Sequence, residues 1–174
     1  MRFFISFSNL IDSINEKIGQ AISWLTLILV LVVCYDVLIR YFLKNSVVAI
    51  QEIEWHLFAV IFLISAAYTL KHDRHVRVDV FYAKLSEKKK AWIDFLGSLV
   101  FLIPFCFLAI WSSKIFVKLS FNLRETSPDP GGLPARYILK TAIPLGFLLL
   151  LLQGISLAIK SLSAITQNPT GMKT

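Results

Sequence analysis

Four apolar stretches, at residues 18–41, 50–70, 91–112 and 136–160, occupy most of this 174-residue chain, and none has a charge near its middle. Each is long enough to cross a bilayer, since a spanning helix needs about 20 mostly apolar residues at ~1.5 Å rise. The hydrophobic fraction of 56% and mean hydropathy of +0.69 exceed what a soluble domain of this size carries. The expected fold is therefore an all-α membrane protein with four transmembrane helices. What remains is an N-terminal segment, two substantial loops and a short polar tail, so residues 1–174 are expected to form a single membrane domain.

The N-terminal segment, residues 1–19, places Phe3, Phe7, Leu10, Ile11, Ile14 and Ile18 at helical spacing, with Asp12, Ser13, Asn15, Glu16 and Lys17 largely between them. That pattern predicts an amphipathic helix, lying in the membrane interface or packed on the edge of a partner subunit. The apolar run after it is too long for a signal-peptide core and no A-x-A cleavage site follows, so the first span is expected to be an uncleaved anchor. Cys34 and Cys106 both fall inside spans, in no metal-ligand spacing, and are expected to be packing residues.

The net charge of +7 does not point to nucleic acid, because the basic residues segregate by side. Lys71, Arg74, Arg77, Lys84, Lys88, Lys89 and Lys90 all lie between spans two and three. Fewer flank the opposite ends: Arg40 and Lys44, then Lys114, Lys118, Arg124, Arg136 and Lys140. The positive-inside rule places the middle loop and both termini in the cytoplasm.

Charged residues collect at the span ends. Asp36 and Arg40 are one helical turn apart near the end of span one, where pairing lowers the cost of an acid below the headgroups. Span two opens on Gln51-Glu52-Ile53-Glu54-Trp55-His56, with both carboxylates at a helix N-terminus. No further ligand is in register, so capping and salt bridging are expected there rather than a metal or proton site. Asp36, Arg40, Glu52, Glu54 and Trp55 are the candidates for structural or partner-interface contacts. Span three contains Pro104, where a kink is expected. Gln153 is the strongly polar residue inside span four, and Ala142 and Gly146 form a small-xxx-small pair suited to helix packing. The third loop, Glu125 to Pro134, is built from turn formers, and Pro128, Asp129 and Arg136 are its candidates for contact with an extracytoplasmic partner.

Enzymatic function is not expected: the sequence has no nucleophile–base pair, phosphate loop or metal cluster, and its soluble segments are too short to enclose a site. Haem anchoring also fails on geometry, because His56 and His72 are sixteen residues apart, about 24 Å along one helix. No cofactor is expected. A small self-sufficient transporter would keep an ionisable residue within the membrane, and here Asp36 is the one acidic candidate, with Arg40 beside it. An accessory subunit of a membrane complex fits better.

Arg40-Tyr41-Phe42 after span one, Glu52-x-Glu54-Trp55 opening span two, His75-Val76-Arg77-Val78-Asp79 after it, and Ser127-Pro-Asp-Pro-Gly-Gly-Leu-Pro-Ala-Arg136 leading into span four together resemble the small membrane subunit of tripartite ATP-independent periplasmic (TRAP) transporters. The last segment is most similar to the branch labelled for mannitol, chloroaromatic or related organic-acid uptake. Arg74 stands where that family has Gly, and the Trp that often precedes the Glu pair is missing. The resemblance implies a large membrane subunit that carries the substrate and sodium sites, a soluble periplasmic binding protein that makes transient contact, and a bacterial inner-membrane location. It also implies that the small subunit is a static scaffold beside a moving transport domain. A scaffold subunit of another bacterial membrane complex is the rival expectation.

Overall fold

The computed structural model describes residues 2–72, 82 and 85–166. Five helices account for most of them: α1 (Arg2–Phe42), α2 (Val48–Lys71), α3 (Glu87–Gly97), α4 (Ile103–Asn122) and α5 (Arg136–Thr166). A π-helical turn, Ser98–Leu102, joins α3 to α4, so these two run as one rod from Glu87 to Asn122. Four rods are thus long and apolar enough to cross a membrane, as the sequence predicts.

The π turn ends two residues before Pro104, and the amide of Ile103 donates to the carbonyl of Ser98, five residues back. The disruption expected at the proline takes the form of a widened turn, the usual accommodation where a ladder hydrogen bond is lost.

The N-terminal segment differs from expectation in one respect. It does not break from span one: α1 is a single helix of 41 residues, about 60 Å long and twice the thickness of a bilayer core. Nothing at the junction stops it, because Gly19 is accommodated inside the helix and faces α2. A Cβ on Gly19 would stand 2.2 Å from the Tyr68 ring, which shows how closely the two helices approach there. The segment is amphipathic, but part of its polar set, Ser8 and Asn15 with the half-buried Asp12 and Glu16, is turned inward, while Ser13 and Lys17 are exposed. Ser8, Asn15 and Ile11 are buried, while Phe4, Phe7, Leu10 and Ile14 are exposed.

That inward polar face meets polar groups on α5 and α2. Asn15 Nδ2 donates to Gln153 Oε1 at 2.6 Å, and Gln153 Nε2 donates to Asp12 Oδ1 at 3.0 Å. The Ser156 hydroxyl also donates to Asp12 Oδ1, at 2.7 Å, and stands 2.6 Å from the Ser8 hydroxyl. Lys160 pairs with Asp12. Lys71 donates to the Asp12 carbonyl at 3.0 Å and to Glu16 at 2.5 Å. This ladder fastens the Asp12 end of the molecule.

Helix α5 is the hub. It packs on α1, α2, α3 and α4, whereas the α1–α2 hairpin and the α3–α4 rod meet chiefly through it. A third of its apolar stretch, 33%, is buried, against 6–11% for the other three spans. Small residues make this possible. A Cβ on Gly146 would fall 2.7 Å from the Leu63 backbone oxygen, so α2 and α5 touch backbone to backbone there. A Cβ on Gly154 would meet side chains, the flexible Leu102 at 2.9 Å and Ile103 at 3.7 Å. The buried set also contains more polar residues, such as Ser98, Ser113, Gln153 and Ser156, than apolar ones. Large apolar side chains such as Trp24, Leu31, Phe101 and Ile115 face outward. That is the expected distribution where lipid is as apolar as leucine and helices associate through small and polar groups.

The two glycines separate in their tolerance. Gly146→Ala presses on backbone that has no room to move and is expected to cost about 1–3 kcal/mol, whereas Gly154→Ala displaces a side-chain tip and costs less. Resistance to unfolding in graded denaturing detergent checks this order.

Candidate functional site

The end of the molecule opposite Asp12 is organised by one carboxylate. Glu52 sits in the second turn of α2 and is 3% exposed. Its partners come from far along the chain. The Ser127 hydroxyl donates to Oε1 at 2.5 Å, the Leu133 amide donates to Oε2 at 2.5 Å, and Arg136 Nη2 donates to Oε1 at 3.1 Å. The sequence predicts salt bridging for Glu52, and the structure supplies its partner, Arg136 at the first position of α5. The neighbouring His56 does not reach the Glu52 side chain; its Nδ1 meets the Glu52 backbone carbonyl.

The loop between α4 and α5 is shaped to reach this carboxylate. Arg124, Gly131 and Ala135 all adopt positive φ, at 46°, 82° and 63°. The Ser127 amide donates to the Leu133 carbonyl at 3.1 Å and the Gly132 amide to the Asp129 carbonyl at 3.0 Å, which closes a tight turn. Gly132 is required by space: a Cβ there would stand 2.4 Å from Ser127 Oγ and 2.9 Å from Glu52 Oε2. Pro128 and Asp129 are exposed at the turn's tip. Arg136 instead points inward, with its guanidinium 5.4 Å from the Trp55 ring centroid while it bridges to Glu52. Its Nε is buried with no partner.

A second ion pair flanks the first. Lys140, one turn along α5, bridges to Glu125 and lies 4.0 Å over the Phe116 ring. Hydrogen bonding from Lys140 holds the Glu125 carboxyl below its ordinary range. Sequence reading did not single out Glu125, Lys140 or Ser127 as partners. The signal for them is a positional one, charges and a hydroxyl bracketing a Pro/Gly turn beside a helix start.

Asp36 and Arg40 pair on α1 as their spacing predicts. Asp36 is 2% exposed and its Oδ1 has no partner, while more than half of the Arg40 side chain is open. Glu54 has a buried Oε1 without a partner, and Trp55 is 40% exposed. The structure brings Glu52, Trp55 and Arg136 together in one cluster. It does not bond Asp36 or Arg40 to that cluster. The His75–Asp79 motif and Asp73 lie outside the described residues. Among the described residues no group of His, Cys, Asp or Glu is arranged to hold a metal ion.

Ion pairs and hydrogen bonds that join helices and fasten a loop, on rods that otherwise present apolar side chains outward, define a helical membrane building block. The family model described as tripartite ATP-independent periplasmic transporters, DctQ component, matches residues 29–164, and this chain belongs to that family. It is a small membrane subunit of a TRAP transporter, from a family of transporter components and not of enzymes. No curated protein matches the chain.

Breaking the Glu52 clamp is expected to free the loop. Glu52→Ala removes the acceptor of all three bonds and leaves the half-buried Arg136 without its counter-charge, so the loop is expected to loosen. Hydrogen exchange at the Leu133 amide should rise strongly in Glu52→Ala and less in Glu52→Gln, which keeps a side-chain acceptor.

Proposed function

We propose that this subunit is the static brace of its transporter. In this reading it holds the large membrane subunit in place while that partner moves an organic acid across the membrane with sodium. A periplasmic binding protein delivers the substrate. The chain sits in the bacterial inner membrane with both termini in the cytoplasm.

The observation that carries this reading is where the charges lie. The described ion pairs gather at the two ends of the rods: Asp12, Glu16, Lys71 and Lys160 at one, and Asp36, Arg40, Glu52, Glu125, Arg136 and Lys140 at the other. Between them the rods are largely apolar, with small hydroxyls and, on α5 toward the Asp12 end, Gln153, whose bonds go to Asn15 and Asp12. A sodium or substrate path needs polar groups at mid-depth, and they belong in this proposal to the large subunit. Family membership supports the same division of labour. The basic loop after α2 supports the cytoplasmic placement of that end.

Asp36, Arg40, Glu52, Glu54 and Trp55 are proposed to set the outer ends of α1 and α2 against the large subunit. Pro128 and Asp129, exposed on a turn fixed by Glu52, are proposed as the points that touch the binding protein, with Arg136 holding that turn from beneath. Affinity purification in mild detergent tests the assembly. A stoichiometric large membrane protein, with sodium-dependent uptake after reconstitution with a binding protein, is the expected result. A chain that purifies alone and still moves a solute in liposomes overturns it.

Arg40→Glu places a second acid beside Asp36, whose Oδ1 already has no partner. Complex yield or uptake is expected to fall, because two like charges, one of them the buried Asp36, then face each other one helical turn apart. Unchanged assembly and uptake would take Arg40 out of the interface.

A further inference from the structure

We propose that the four-rod bundle stands obliquely in its bilayer, at about 35° to the membrane normal, because the lipid-facing belts of its two halves lie at different heights. The proposal rests on the rods crossing a membrane. It is independent of the bracing role and of which end faces the cytoplasm.

Named contacts fix the levels. Lys71, the last residue of α2, bonds Glu16 on α1. Leu63 meets Gly146 where the parallel helices α2 and α5 touch, so Lys71, eight residues further on, is level with Gly154. Gly154 in turn meets Leu102, at the end of the π turn. Lys71, Glu16, Gly154 and Leu102 therefore mark one cross-section of the bundle.

From that cross-section toward the Asp12 end the two halves differ. Helix α2 has stopped, and on α1 exposed Leu10 and Ile14 alternate with exposed Asn9, Ser13 and Lys17, the mixed face of an interfacial segment. On α3 the exposed side chains stay apolar, through Leu99, Leu96 and Ile93 to Trp92. Asp94 in this stretch is half-buried and accepts from Tyr82, and the lysines begin only at Lys90. The first basic residue thus comes at the cross-section itself on α2, six residues beyond it on α5 (Lys160) and twelve beyond it on α3. At ~1.5 Å per residue those steps are 0, about 9 and about 18 Å. Because α5 lies between the two halves, the series is the one an oblique plane cuts.

The Glu52 end is offset in the same sense. Glu52 bonds Arg136, and Lys140, one turn along α5, lies over Phe116, so Glu52 is level with Ser120 of the antiparallel α4. Lys114 comes six residues before that level, about 9 Å nearer the Asp12 end.

An upright bundle satisfies only one half. A boundary at Lys71 leaves Trp92, Ile93 and Leu96 in water, while a boundary at Lys90 draws Lys17, Glu16 and Lys71 deep into the acyl region. Tilting brings Lys71, Lys160 and Lys90 to one height. The offset, on average about 13 Å, accrues across two helix spacings, about 18 Å, which gives an angle of about 35°. The length of the α3–α4 rod agrees: Lys90 to Lys114 is about 36 Å, and fits a core of about 30 Å at a similar inclination.

Images of the native complex in lipid nanodiscs test this directly. The α3–α4 rod is expected at about 35° to the disc normal, with Lys71 and Lys90 at one height. An angle below about 15° overturns the proposal, whether the disc is flat or stepped around the subunit. Spin labels introduced as a non-natural amino acid at exposed Phe62 or Trp111 give a second reading, since these positions share one level of the bundle. The label at 62 is expected about 10 Å deeper than the label at 111, and equal depths overturn the tilt. Should the chain purify alone, both measurements apply to it unchanged, so this outcome is separable from that of the bracing role.

Discussion

Apolar packing cannot by itself hold helices together in a medium as apolar as their side chains, and every lasting contact in this subunit answers that constraint. At one end the answer is the ladder of Asp12, Asn15, Gln153, Ser156 and Lys160 between α1 and α5. At the other it is Glu52 with Ser127, Leu133 and Arg136. Between them, Gly19 and Gly146 let backbones approach closely enough for dispersion to act over many atoms. Remove these groups and little remains that prefers a neighbouring helix to a lipid tail.

The same constraint accounts for the orientation of α1. Its N-terminal stretch has an apolar and a polar face, and in water the apolar one would turn inward. Here Ser8, Asp12, Asn15 and Glu16 find polar partners on α5 and α2, and the outward apolar side chains meet surroundings that accept them. A periodicity of 3.6 residues marks two faces in a sequence but does not say which medium each will meet. The amphipathic helix was therefore legible from Phe7, Leu10 and Ile14, while its inversion was not.

Other features divide along the same line. The four spans, the Asp36–Arg40 pair and the importance of Gln153 and Gly146 were readable because each depends on neighbours in sequence or on an isolated polar or small residue in an apolar run. The identity of the Glu52 partners was not, because Ser127 and Arg136 lie 75 and 84 residues away. Turn chemistry showed that residues 125–134 leave the helix, but the carboxylate around which they fold is set by tertiary structure. The motifs shared with TRAP small subunits span this divide, since they combine the Glu pair and the Ser-Pro-Asp-Pro-Gly-Gly turn in one pattern.

The hub position of α5 also bears on how such a chain is built at a membrane. Helices α1 to α4 all precede α5 in synthesis, yet the α1–α2 hairpin and the α3–α4 rod have little direct contact with each other. Until α5 is inserted they are two loosely related pieces, with Asp12 and Glu52 each lacking the residues that neutralise them. Insertion of the final span is then a closing step that joins both pieces and satisfies both acids at once. The nascent subunit has a built-in interval in which its polar groups stand open to the insertion machinery or to a chaperone, and that interval ends when α5 takes its place.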